Sequence, residues 1–269
     1  MDPPVYDTLI LSDVHLGADT SRAREATCAL KENRFRRLIL LGDIFADLNF
    51  RRLTKEHWKF LGYIRKLSNP KRNLEVIWVE GNHDQGLADI MSHLVGVRVY
   101  QEYTWEYAGL RHLAIHGHQF DRLLANNLRL NHFGTLFYLQ LQKLDLKGNP
   151  IARFIDRINT RWLRMSHKVA AGALFHARLH KADRIFCGHT HEAMHQEKDG
   201  INYYNTGGWV DEKLTYITID TAGVRIHEYK ERPRHPDSDG EQSETDFTVA
   251  ELNDESALPE DAEYENIGG

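Results

Sequence analysis

The first hundred residues alternate between short apolar runs and stretches with helical spacing. Tyr6 to Leu11 predicts a strand, Thr20 to Asn33 a helix and Leu38 to Leu41 a second strand. Trp58, Leu61, Ile64 and Leu67 recur at helical intervals, so Thr54 is the expected cap of a helix that stops before Asn69-Pro70. Leu74 to Val79 predicts a third strand. Such a βαβαβ series predicts sheet strands buried by helices, with ligands gathered beyond the strands' carboxyl ends.

A short helix near Leu87 to Leu94 should lead to two hairpin-like strands, Val97 to Tyr100 and Tyr103 to Tyr107, and Gly109 should turn the chain into a strand from Arg111 to Ile115. Strands are also expected at Arg184 to Cys187, Tyr203 to Asn205, Leu214 to Ile219 and Val224 to Tyr229, with Gly207-Gly208-Trp209 as a tight connection. Between His118 and His189 the pattern is mostly helical, with a break at Lys147-Gly148-Asn149-Pro150. From Ile151 onward, Ile151, Phe154, Ile155, Ile158, Trp162, Met165 and Val169 fall within an arc of about 100° on a helical wheel. Arg153, Arg157, Arg161, Arg164 and Lys168 occupy an adjoining arc of roughly 80°. That helix predicts an apolar stripe beside a basic one.

Charge sharpens this division. The overall charge is −5, yet residues 231–269 hold thirteen Asp or Glu against Arg232 and Arg234, a net of −11 that leaves +6 for residues 1–230. Residues 120–182 hold eleven Lys or Arg against Asp121, Asp145 and Asp156, so the basic charge concentrates in this insertion, as suits a cap over an anionic substrate. The expected organisation is a main domain over residues 1–230, a basic helical cap at 120–182 inserted within it, and a disordered acidic tail at 231–269. A length of 269 residues with 41% hydrophobic content supports one sizeable core. No stretch approaches the roughly 20 apolar residues of a membrane span. The N-terminus lacks a leader pattern, which predicts a cytoplasmic protein with Cys28 and Cys187 as buried, reduced thiols, a disulfide being the alternative. No aromatic-basic repeat or helix-turn-helix pattern signals nucleic-acid binding.

The chemistry sits where the apolar runs end. Asp13-Val14-His15, Gly42-Asp43, Gly81-Asn82-His83-Asp84, His116-Gly117-His118 and Gly188-His189-Thr190-His191 each follow a predicted strand. Carboxylates, an amide and imidazoles from five strand ends can encircle two divalent cations. Their mixture suits Mn, Fe or Zn better than an oxygen-only Ca or Mg cage. No cysteine lies in any cluster, which argues against a structural thiolate zinc site.

In their order and spacing these motifs resemble the calcineurin-like metallophosphoesterases over nearly all of residues 5–230. The long insertion and Asn205-Thr206-Gly207-Gly208-Trp209 resemble, within that family, the UDP-2,3-diacylglucosamine hydrolases and their relatives. Those hydrolases commonly carry arginine at the position of His83 and aspartate at that of His118. The resemblance implies a four-layer αββα sandwich with a helical cap, and hydrolysis of a phosphodiester or pyrophosphate bond, in a UDP-acyl-sugar-like substrate or alternatively in a nucleotide, nucleic acid or phosphomonoester. A further alternative is a scaffold that keeps the fold without catalysis. It implies two divalent transition-metal ions, with Mn first and Fe or Zn as alternatives. Asp13, His15 and His191 would hold one ion, Asn82, His116 and His189 the other, and Asp43 would bridge them. His83 would act as general acid or as a donor to the phosphoryl oxygens, with Asp84 orienting it. Arg157, Arg161, Arg164 and His118 would contact a phosphorylated, lipid-like or nucleotide-linked substrate, and the amphipathic helix could place the protein at the inner face of a membrane.

Overall fold

The computed structural model describes residues 5–122 and 166–231. The expected break at 147–150, most of the basic helix with Arg157, Arg161 and Arg164, and the tail beyond Glu231 lie outside the described residues. The chain begins with β1 (Val5–Leu11), α1 (Ala23–Glu32), β2 (Arg34–Leu41), α2 (Lys55–Leu67), β3 (Glu75–Val79), α3 (Ala88–Leu94) and β4 (Arg98–Tyr100). There follow β5 (Glu102–Tyr107), β6 (Leu110–Ile115), α4 (His118–Arg122), α5 (Ser166–Leu179), β7 (Arg184–Cys187), β8 (Met194–Lys198), β9 (Ile201–Asn205), β10 (Leu214–Asp220) and β11 (Gly223–Tyr229).

Two sheets result. The first has the order β11-β10-β1-β2-β3-β4 and the second β5-β6-β7-β9-β8. In the first, β1 to β4 run parallel and β10 returns antiparallel beside β1. In the second, β6, β7 and β9 are parallel, with antiparallel β5 and β8 at the edges.

Side-chain alternation assigns the layers. Leu9, Leu11, Leu38, Leu40, Val76 and Trp78 pack with Ala26 and Leu30 of α1 and with Phe60 and Ile64 of α2. The intervening Ile10, Ile39, Leu41, Ile77 and Val79 meet Trp105, Ala114, Phe186 and Tyr204 of the second sheet. On the far side of that sheet, Leu113, Ile115, Ile185 and Cys187 bury Val169, Ala173 and Leu174 of α5. A period of two along each strand thus separates three apolar interfaces and produces the four-layer αββα sandwich.

Thr54 caps α2 as expected. Its hydroxyl accepts from the His57 amide, and His57 Nδ1 accepts from the Thr54 amide at 3.1 Å. The same Nδ1 accepts from the Gly17 amide at 3.2 Å, which ties the start of α2 to the loop leaving β1. The buried face of α2 is His57, Phe60, Leu61, Ile64 and Leu67, whereas Trp58, counted on the apolar face by spacing, is 53% exposed.

The hairpin-like pairing expected of residues 97–107 does not form. Strand β4 pairs parallel with β3, and β5 pairs with β6 in the other sheet. Only Gln101 separates β4 from β5, too short a link for a reversal, so the chain passes from one sheet to the other. The true hairpin is β5-β6, where Ala108 and Gly109 have φ of 52° and 75°, the positive pair that a two-residue turn of matching twist demands. Cys187 is buried, Cys28 is half-buried rather than buried, and both are free thiols. No helix among the described residues is long and apolar enough to cross a membrane.

Candidate metal centre

Parallel strands aim their carboxyl ends one way, so both sheets deliver their polar clusters to one edge of the sandwich. Beyond the ends of β1 and β2 the backbones stay paired: the Asp13 amide donates to the Gly42 carbonyl at 3.0 Å and the His15 amide to that of Asp43 at 3.1 Å. Across the second sheet, the Gly188 amide donates to the His116 carbonyl at 3.0 Å. Glycines allow the close approach. A Cβ at Gly81 would strike Asp43, and one at Gly188 would strike Asp13 and Ser12.

Two groups of metal-ligating type form here, Asp13 with His15 and His191, and Asp43 with His116 and His189; the donor atoms within each lie within 4.8 Å of one another. Asp43 also groups with His15 and His83, which makes it common to two sets. The first two groups abut: His116 Nε2 is 3.5 Å from Asp13 Oδ1 and 3.7 Å from Asp43 Oδ2. His191 Nε2 stands 3.2 Å from Asp13 Oδ1, and the Nε2 atoms of His15 and His191 are 3.1 Å apart. Each of these two groups draws on both sheets, its aspartate from the first and one or more histidines from the second.

The donors fit a pair of divalent ions. Asn82 Oδ1 and His116 Nε2 are buried without a hydrogen-bond partner, which is costly unless another electrophile meets them. Burial raises the Asp13 carboxyl, but the neighbouring His191 and His116 imidazoles outweigh it and hold the group well below the usual carboxylate range. Burial drives His15 down to about 4, so its ring is neutral with a lone pair to give. At His116 burial is outweighed by Asp43 and Asp13, and the ring is raised to about 8, the sign of a pocket that favours positive charge.

Five of these residues are held in left-handed backbone conformations: Asp13, His15, Asp43, His189 and His191, with φ between 49° and 71°. Such conformations cost roughly 1–3 kcal/mol each. Together they rival the net stability of a domain, about 5–15 kcal/mol, so surrounding bonds must enforce them. The Asp13 carboxylate accepts from Ser12 Oγ and from the His189 amide at 3.0 Å. Asp43 Oδ1 accepts from the His83 amide at 2.9 Å. Asn205 donates to the Gly188 carbonyl at 2.6 Å and accepts from the Gly207 amide at 3.0 Å.

Asp84 does not orient His83. Its buried carboxylate accepts from the amides of Ile44 and Phe45 at 3.1 and 2.9 Å and fixes the turn that follows Asp43. Burial, with the Asp43 charge, raises its carboxyl to about 7 against those two donors. The His83 ring is held instead by the Ala46 carbonyl, 2.6 Å from Nδ1. A carbonyl only accepts, so Nδ1 carries the proton and Nε2, 3.9 Å from Asp43 Oδ2, faces the site. His118 is buried with Nδ1 3.2 Å from Nδ1 of His116, where it orients that ring.

Three supporting residues were not singled out by the sequence reading: Ser12, Asp211 and Glu192. Asp211 Oδ2 lies 3.4 Å from His191 Nδ1, and Glu192 accepts from Ser166 Oγ at 2.7 Å, joining the last cluster to the start of α5. Asp211 and Glu192 pair with residues of other elements, His191 and Ser166, and Ser12 also reaches Thr206, far along the chain.

Residues 7–223 match the calcineurin-like phosphoesterase superfamily domain. The chain belongs to that superfamily. Structures similar to this calcineurin-like chain include an archaeal phosphodiesterase, 16% identical, covering 82% of this chain and 98% of that one with a TM-score of 0.46. A hypothetical protein from Pyrococcus horikoshii OT3 is 11% identical, with coverage of 85% and 89% and a TM-score of 0.49. Vacuolar Protein Sorting 29 from Cryptosporidium parvum is 13% identical, with coverage of 83% and 96% and a TM-score of 0.42. No curated protein sequence matches the chain.

Proposed function

We propose that this chain is a dinuclear metal-dependent phosphohydrolase cleaving a phosphodiester or pyrophosphate bond. The observation that carries the reading is the pair of abutting Asp/His groups, with Asp43 shared and with the buried Asn82 Oδ1 and His116 Nε2 lacking hydrogen-bond partners. Asp13, His15 and His191 would hold one ion, Asn82, His116 and His189 the other, and Asp43 both. Two transition-metal ions, Mn²⁺ first among them, supply Lewis acidity towards phosphoryl oxygens and an activated water at neutral pH. His83, with Nδ1 fixed by Ala46, presents Nε2 to deliver a proton to the departing oxygen or to donate to the phosphoryl group. The tautomer set by the Ala46 carbonyl means that this Nε2 donates only when the ring is protonated. His118 acts by holding the His116 ring.

For the substrate, the basic and apolar stripes of residues 151–169 support a phosphorylated molecule with an acyl or nucleotide portion, met by Arg157, Arg161 and Arg164 at a membrane surface in the cytoplasm. A hydrolysis screen with Mn²⁺ over an aryl phosphodiester, UDP-acyl-sugars, cyclic nucleotides, dinucleotides and phosphomonoesters tests the proposal. Turnover of diesters or pyrophosphates is expected. Activity confined to phosphomonoesters would overturn the bond assignment, and full metal occupancy without turnover of any ester would leave a scaffold.

A further inference from the structure

A second set of metal-ligating side chains lies away from the centre just described. Glu102, His176 and His180 bring their donor atoms within 4.8 Å of one another, and none of the three belongs to the Asp/His groups above. Glu102 opens β5, immediately after the chain has crossed between sheets, and is directly opposite Ile115 on β6. Ile115 faces the helical layer, so Glu102 does too.

His176 and His180 are one helical turn apart. The His180 amide still donates to the His176 carbonyl at 3.1 Å, so the helical turn is intact where α5 ends. This i,i+4 spacing stacks both imidazoles on one face, with ring centroids 4.2 Å apart. His176 Nε2 is 2.7 Å from one Glu102 oxygen, and His180 Nδ1 is 3.7 Å from the other. The carboxylate is therefore shared by two imidazoles, yet only the first contact has hydrogen-bond length. Arg178, which lies between the two histidines in sequence, is paired with Asp199. All three side chains are partly exposed, so an ion from solvent can reach them.

We infer that Glu102, His176 and His180 form a separate site for a transition-metal ion of the Zn²⁺ class, which fastens α5 to the strand that enters the second sheet. Two neutral imidazoles and one carboxylate are the donors such ions prefer, and three protein ligands leave a coordination position for water. The helix so fastened is the one by which the chain returns from residues 123–165 to β7. A bound ion would draw in the His180 nitrogen, which the carboxylate alone leaves at 3.7 Å.

The test is zinc content after dialysis of the wild-type chain against Zn²⁺, compared with His180→Ala and Glu102→Gln, each checked for folding by circular dichroism. Wild type should retain one more ion per chain than either variant, while Mn²⁺-dependent turnover is the same in all three. Equal zinc content in the three proteins would reduce the cluster to an ion pair and overturn the assignment. A second measurement needs only the wild-type chain: carbethoxylation of His176 and His180, mapped by peptide mass spectrometry with and without Zn²⁺. Labelling should fall severalfold with Zn²⁺, and unchanged labelling at both rings would also sink the inference.

Discussion

The Asp211 carboxylate stands 3.4 Å from Nδ1 of His191, whose other nitrogen is 3.2 Å from Asp13. A carboxylate behind an imidazole fixes its tautomer and raises its basicity, and loss of such a partner typically lowers metal affinity about 10- to 100-fold. Asp211→Asn should therefore shift the Mn²⁺ activation curve by roughly that factor while the circular dichroism spectrum stays unchanged. An unshifted curve would show that His191 needs no support.

Substitution of His83 should separate turnover from metal binding. It is the most exposed histidine of the site, at 43%, and its Nε2 faces Asp43 at 3.9 Å. His83→Ala should retain both ions yet lose about 10²- to 10⁴-fold in kcat, the usual contribution of a proton donor. Metal analysis beside steady-state kinetics checks this, and loss of an ion would recast His83 as a ligand.

Two glycine substitutions should act in opposite directions. A Cβ at Gly81 would collide with Asp43, so Gly81→Ala should destabilise the fold by about 1–3 kcal/mol and abolish turnover. Gly62 lies inside α2 with open space around it, and Gly62→Ala should stabilise the protein by about 0.5–1 kcal/mol. Urea denaturation of both variants against wild type gives the comparison.

His112 should make the fold acid-sensitive. It is fully buried between Trp105 and Phe186, neither ring nitrogen makes a hydrogen bond of ordinary geometry, and burial lowers it to about 4. The folded state prefers the neutral ring, so the unfolded chain binds the extra proton first. This contribution is complete above the unfolded value of about 6.5 and is lost as pH falls towards 4. Between pH 7 and pH 5 the loss should be on the order of 1–2 kcal/mol. His112→Phe should remove most of it, as read from denaturation at the two pH values.

The strands whose apolar residues fill both faces were legible because burial on two sides leaves an unbroken run. β8 was not, since Met194-His195-Gln196-Glu197-Lys198 is an exposed edge with no apolar alternation. Its signal was the turn: Asp199 and Gly200, with φ of 54° and 78°, are the pair that closes a hairpin. The positions of the metal-type residues were legible from their placement after strands. The jobs of Asp84 and Asp211 were not, because each depends on a partner from another loop. Trp58 shows the limit of periodicity, since His57 takes the buried place for its capping bonds.

The Asp13/His15/His191 and Asp43/His116/His189 groups each take donors from both sheets, and this has a kinetic consequence. Until the two layers dock, an ion would have no more than a partial grip, so metal should lock the finished sandwich but not seed it. Refolding should proceed at nearly the same rate with or without Mn²⁺, while unfolding slows in its presence, since the transition state comes before the lock closes.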